Sequence, residues 1–111
     1  MHCTGVGKVL LAHAPQEVRE SVLASLRRVT PRTITSRRVL EDQLERVRRE
    51  GVAMTAEEMS LGACSLAVPV VQSSDDTVAA ALGVVVPTLK RDRQRLIGAL
   101  QVAARGIGRL L

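Results

Sequence analysis

Hydrophobic positions follow a helical period in some stretches of this chain and run unbroken in others, and the change marks out its elements. Gly5-Val6-Gly7-Lys8 leads into Val9, Leu10, Leu11, Ala12 and Ala14, a short helix with a glycine-rich first turn. Pro15 breaks it and suits the first position of a second helix. Val18, Val22, Leu23 and Leu26 then form a one-sided stripe that predicts a helix over Gln16 to Arg28, with Arg27 and Arg28 in its last turn. Thr30 to Thr35, with Pro31 and β-branched residues, reads as an extended linker. Ser36 is an N-cap and Gly51 a C-cap for a third helix over Arg37 to Glu50, whose apolar face is Leu40, Leu44 and Val47. Asp42 with Arg46 and Glu45 with Arg49 are acid-before-base pairs one turn apart.

Beyond Gly51 the period changes. Val52 to Met54 predicts a short strand, and Thr55 to Gly62, with Glu57 and Glu58 at its centre, a solvated loop. Cys64 to Val71 is continuous in small apolar residues and predicts a second strand; Pro69 lacks an N–H and needs an edge or a bulge. Ser73, Ser74, Asp75 and Asp76 are turn residues. Thr77 to Val86 predicts a third strand, apolar enough to be buried on both faces or against helices. Asp92 caps a last helix to Arg109, on which Leu96, Ile97, Leu100, Ala103, Ala104 and Ile107 form the cleanest helical stripe. Gly98, Gly106 and Gly108 weaken that helix or let it approach a neighbour closely. The predicted order is α-α-α-β-β-β-α.

Composition narrows what such a chain can do. Its 111 residues fit one domain or part of one, and 46% apolar residues suffice for a core. The longest uncharged, mostly apolar run, Leu61 to Val71, is too short to span a bilayer, and no secretory leader is visible in Met1 to Val9. A cytoplasmic protein is expected. The net charge is +5, yet there is no Phe, Tyr or Trp, so no platform exists for stacking bases of single-stranded nucleic acid. Arginines cluster at Arg27-Arg28, Arg37-Arg38, Arg46-Arg48-Arg49 and Lys90-Arg91-Arg93-Arg95, as expected of solvated helix faces and ends.

Candidate chemistry is sparse. Cys3, Cys64, His2 and His13 are not placed together by sequence and lack the short-loop spacing of a zinc site; free cysteine is usually a small buried hydrophobe. No catalytic residue, metal or cofactor is predicted. Gly5-Val6-Gly7 at a helix start offers free N–H groups and the positive end of a dipole, a site for an anion. It is not a phosphate loop: His2 stands where the first glycine belongs, and Val9 follows Lys8 in place of Ser or Thr.

Taken in order, Met1 to Ala12, Thr33-Ile34-Thr35, Leu44 to Gly51, Glu57-Glu58, Leu61-Gly62, Ala67-Val68-Pro69-Val70, Ala79 to Val84 and the terminal helix resemble the second half of the effector-binding domain of IclR-type transcriptional regulators. The resemblance covers essentially the whole chain. It implies an α/β (α+β) GAF-like sensor fold, an antiparallel sheet covered by helices and lacking its first strands, as one domain over residues 1–111. It also implies a non-enzymatic role as a ligand-sensing and oligomerisation module. DNA is then contacted only through a winged helix-turn-helix for which this sequence has no room.

The resemblance further implies an effector site. At the positions matching Gly5 and Val6, backbone amides meet the effector's carboxylate. The remaining effector positions match Thr55, Ser65, Gly83 and Val85, of which Gly83 is expected to leave room for the ligand and Val85 to offer apolar contact. Only Thr55 and Ser65 can hydrogen-bond through side chains, so the pocket suits a larger, partly apolar organic acid better than a small keto-acid such as glyoxylate or pyruvate. Lys8 is expected to point away from the amides. Self-association as a dimer or tetramer, through exposed edges of Cys64 to Val71 or Thr77 to Val86, is the second expectation. Two other readings stand beside the sensor: an assembly module without ligand, and a basic nucleic-acid-binding protein.

Overall fold

Four helices and three strands follow one another as α1 (Gly5–Ala12), α2 (Gln16–Leu23), α3 (Arg37–Glu50), β1 (Ala53–Ala56), β2 (Cys64–Val71), β3 (Val78–Val86) and α4 (Arg93–Leu110). The structure is a computed structural model that describes residues 2–59, 61–89 and 92–111. Met1 of the opening segment, Ser60 of the acidic loop, and Lys90 and Arg91 of the last basic cluster lie outside them. The element order is the predicted one.

Local chemistry sets most of the boundaries. Thr4 caps α1, its hydroxyl oxygen accepting from the Gly7 N–H at 2.9 Å. Ser36 caps α3 through the Val39 N–H, and Gly51 ends it at φ +72°, the left-handed conformation that glycine adopts without strain. The expected Asp42–Arg46 and Glu45–Arg49 pairs are replaced on α3 by Arg37–Glu41 and Arg48–Glu45. Pro15 is the N-cap of α2 and not its first residue, and Asp92, at the start of α4, makes no capping hydrogen bond through its side chain.

α2 stops at Leu23 and does not reach Arg28, so Arg27 and Arg28 lie beyond the helix. The following segment is held elsewhere. Thr33 Oγ1 accepts from the Val29 and Thr30 N–H groups and closes a turn where an extended linker was expected. The hydroxyls of Thr30 and Thr33 in turn donate to the backbone carbonyls of Glu57 and Glu58.

The sheet is antiparallel in the order β1-β2-β3. Thr55 belongs to β1, facing Ser65, and not to the loop in which the sequence placed it. β2 is central, so the edges offered to another chain are those of β1 and β3; only past Ala67, where β1 ends, is one side of β2 open. Pro69 sits in that stretch, next to an irregularity between Val70 and Val71. β3 is half-buried along its length, with Ala79 and Val85 exposed, and is not buried on both faces: as an edge strand it receives only the margins of the helices on either side.

Alternation along β2 assigns its side chains to two layers. Ala67 joins Ala53, Val9, Leu11, Ala12, Leu40, Leu44 and Val47 in a core between the sheet, α1 and α3. Leu66, Val68 and Val70 join Leu100 and Ala104 in a second core under α4. The face of α4 that packs is Ile97, Leu100, Ala104 and Gly108, while Ala103 and Ile107 of the expected stripe are exposed. Of its three interior glycines only Gly108 serves close approach: a Cβ there would stand 2.1 Å from the Val71 carbonyl oxygen. No described helix is long and apolar enough to cross a membrane.

Candidate effector pocket

The first turn of α1 lies on the sheet close to where β1, β2 and β3 run in register as Thr55, Ser65 and Val85. Between them is a cavity of about 200 Å3 whose lining includes Gly5, Val6, Thr55, Ser65, Gly83 and Val85. The structure thus brings all six sequence-predicted residues together. Their parts differ from those expected at two of them, Gly5 and Gly83.

The Gly5 N–H is not free. It donates to Ser65 Oγ at 2.9 Å, and Ser65 Oγ is in turn hydrogen-bonded to Thr55 Oγ1. Gly7 donates to Thr4, and Lys8 N–H to the Thr4 carbonyl. Of the first-turn amides, Val6 alone has no partner among the described residues, so it is the donor left for an anion. Gly83 does not supply room. A Cβ there would stand 2.8 Å from Val6 Cγ2 and 3.1 Å from the Ala67 Cβ, so the glycine lets α1 press on the sheet. Val85 is 73% exposed and forms the rim of the cavity, not its wall.

The further lining residues include Cys3, Met59, Leu66 and Val84. Cys3, fully buried, reaches the Met59 sulfur at 3.8 Å, which brings the residues just before α1 against the loop after β1. Nothing in the pattern of the sequence marks Met59; its place depends on the conformation of that loop. The pocket's lining is chiefly apolar, with the Thr55–Ser65 hydroxyl pair and the Val6 N–H as its polar points.

The acidic loop is not solvated as expected. Glu58 is buried and forms an ion pair with the buried Lys8, Nζ to Oε2 2.7 Å, and Lys8 also donates to Gln43 of α3. Burial pulls the Lys8 pKa below the usual lysine value, against the pull of Glu58 in the other direction. Glu57 stays partly exposed at φ +59°, its carboxylate accepting from the Gly62 N–H. His2 is buried, with Nε2 unpartnered among the described residues, and its pKa is lowered chiefly by desolvation. Among the described residues no three His, Cys, Asp or Glu side chains gather as metal ligands. Arg37 and Arg48 of the basic clusters are engaged by Glu20, Glu41 and Glu45 and by the Ala12 carbonyl.

Comparison with known proteins places this geometry. Residues 1–109 match the family described as bacterial transcriptional regulator IclR, C-terminal. The HTH-type transcriptional regulator KdgR of Escherichia coli is 36% identical over 112 residues, which take in 96% of this chain and 42% of that protein. The crystal structure of an IclR homologue from Microbacterium hydrocarbonoxydans, complexed with 4-hydroxybenzoate, superposes with a TM-score of 0.87 at 37% identity, over 96% of this chain and 44% of that one. The inducer-binding domain of a double mutant of the PobR transcription factor from Acinetobacter, in complex with 3-hydroxybenzoic acid, gives a TM-score of 0.85 at 29% identity, over 99% and 66% of the two chains. The chain spans about two-fifths of the length of the KdgR it matches. With this sequence match, an antiparallel sheet between helices and a pocket at the head of α1, the chain belongs to the IclR family of bacterial transcriptional regulators, as a C-terminal effector-binding domain.

Proposed function

We propose that this domain senses a small, partly apolar organic acid. The carboxylate accepts from the Val6 N–H and from the Thr55–Ser65 hydroxyl pair, and the body of the ligand lies against Cys3, Met59 and the rim at Val85. One observation carries the reading: Val6, whose amide has no partner among the described residues, lines the same cavity as two hydroxyls and apolar side chains. The helix dipole supplies the preference for negative charge. A cavity of about 200 Å3 lies below the roughly 300–1,000 Å3 typical of drug-sized ligands, which favours an acid of single-ring size. The hydroxybenzoates held by the two structural neighbours are of that chemistry. In the longer regulator, occupancy is passed to a DNA-binding segment, and the domain acts without catalysis in the cytoplasm.

The test is titration calorimetry with benzoate, 4-hydroxybenzoate, 4-hydroxybenzamide and pyruvate. The aromatic acids are expected to bind at least tenfold more tightly than the amide and more tightly than pyruvate. Equal affinity for acid and amide overturns the anion site.

A second reading, assembly, has its own support in the outer edge of β3, a nine-residue apolar strand without a lysine or proline to discourage pairing. Sedimentation across micromolar concentrations is expected to show dimers or larger species, and monomer throughout removes this reading.

A further inference from the structure

The buried Lys8–Glu58 pair lies outside the pocket lining yet joins the two parts of the chain that form it. Lys8 sits one turn into α1, behind the Gly5 and Val6 turn. Glu58 immediately precedes Met59, which closes one side of the cavity with its sulfur against Cys3. The other polar contacts of this loop among the described residues fix its backbone to the Thr30–Thr33 turn and to itself. Met59 is 44% exposed, so apolar burial anchors it weakly. The backbone on its N-terminal side is fixed by Thr30 and Thr33, which take the Glu57 and Glu58 carbonyls. The Glu57 carboxylate holds the Gly62 N–H on the other side, and the Glu57 N–H donates to the Ala63 carbonyl at 2.9 Å. Among the described side chains, Glu58 alone crosses from this loop to α1 as a charge, and Lys8 is steadied there by Gln43.

The geometry points to Lys8 and Glu58 as positioning residues of the effector pocket: their ion pair clamps the Met59 loop onto α1 and thereby sets the width of the cavity and the size of acid it accepts. Neither residue touches the ligand. A buried pair is a poor device for stability alone, because two desolvated charges can often be replaced by apolar side chains of similar volume without loss. Its geometric value is that it fixes one distance between two elements far apart in sequence. The size selection rests on the organic-acid reading above; the clamp itself does not.

The test uses Lys8→Met/Glu58→Leu, which removes both charges and leaves none unpaired, alongside Met59→Ala, which leaves the pair intact. In the whole domain labelled with [13C]methyl-methionine, the Met59 methyl is expected to be ordered in the parent and motionally averaged in the double variant, with Met54 unchanged as an internal control. In calorimetry, the double variant is expected to lose at least tenfold in affinity for benzoate and to lose discrimination between benzoate and 4-butylbenzoate, as Met59→Ala does. A folded double variant whose Met59 methyl remains as ordered as in the parent overturns the clamp, whatever the acids do. A released Met59 with no acid bound by the parent keeps the clamp and removes the organic-acid reading. A released Met59 with unchanged acid ranking keeps the clamp and removes its role in size selection. Should the double variant not fold, Lys8→Leu/Glu58→Met, which removes the same link with a different apolar pair, gives the same readouts, with an ordered Met59 and unchanged acid ranking overturning the proposal.

Discussion

β2 offers its two faces to different tasks. Toward α4 it presents Leu66, Val68 and Val70, which meet Leu100 and Ala104 in a wholly apolar cluster. Toward α1 it presents Ser65 and Ala67, and the side chains buried around them include Thr55 and Lys8. The α4 face gains from hydrophobic burial, on the order of 1.5–3 kcal/mol for each fully buried large side chain. The α1 face gives up some of that gain to hydroxyls and charges that need partners. Polar groups gather where a ligand can use them, and the opposite face is left to hold the sheet together.

The largest contrast is expected from single truncations. Lys8→Ala strands the Glu58 carboxylate, whose Oε1 already has no partner among the described residues, and should cost about 3–5 kcal/mol. Lys8→Met/Glu58→Leu should cost less than Lys8→Ala. Across the sheet, Leu66→Ala should cost about 2–5 kcal/mol with no such rescue by a partner. Urea denaturation of the four proteins checks this. Equal losses in the single and double Lys8 variants would mean that the α1 face is held by packing, like the α4 face.

Next come the glycines that bring a helix down on each side. Gly108→Ala drives a Cβ into the Val71 carbonyl, and backbone cannot yield as a side chain can; a loss of about 1–3 kcal/mol is expected. Gly83→Ala meets first the tip of Val6, which can rotate, but also the Leu66 carbonyl oxygen at 3.0 Å. Its cost should fall below that of Gly108→Ala, and it should lower acid affinity because it displaces the α1 first turn. Thermal unfolding and calorimetry on the two variants separate these outcomes.

A smaller effect is expected within the pocket. Ser65→Ala removes the acceptor of the Gly5 N–H and the partner of Thr55. A neutral hydrogen bond is worth about 1 kcal/mol net, so acid affinity should fall about fivefold. The freed Gly5 amide would offset part of that for a ligand able to reach it, and affinity for the neutral amide ligand should fall less.

How far this could be read in advance follows from how local each signal is. The bounds and buried face of α3 were legible because Ser36, the Leu40-Leu44-Val47 stripe and Gly51 lie within one stretch of chain and agree with one another, although its ion pairs were not. β2 was legible for the same reason. The end of α2 was not: the helix stops at Leu23, and the segment after it is tied by Thr30 and Thr33 to the loop after β1, a contact remote in sequence. Glu58 looked solvated because two adjacent glutamates usually are, and its partner Lys8 is 50 residues away. The six pocket positions came from a family resemblance. What each does was left to geometry: Ser65 occupies the Gly5 amide, and Gly83 admits Val6. Cys3 and Met59 were missed because a sulfur carries no periodic signal.

The smallest effect, and the one most specific to the α1 side, concerns His2. Its ring is buried with Nε2 unpartnered among the described residues, and burial lowers its pKa below the ordinary value of 6.5. A histidine depressed in the folded state binds its proton more readily when the chain unfolds. Above about pH 7 both states are neutral at this residue and it adds no pH dependence. As pH falls through 6.5 toward the lower folded value, the unfolded state takes up the proton first, and stability falls. One proton limits the slope to about 1.4 kcal/mol per pH unit. The real slope should be shallower, because Glu58 nearby favours the charged ring. His13 is shifted in the same direction by desolvation and by Arg48, but its side chain is exposed, so its share should be slight. His2→Gln should therefore flatten the loss of stability between pH 7 and 5, and His13→Gln should leave most of it. The reverse result would move the acid sensitivity from the pocket side of α1 to its C-terminal end.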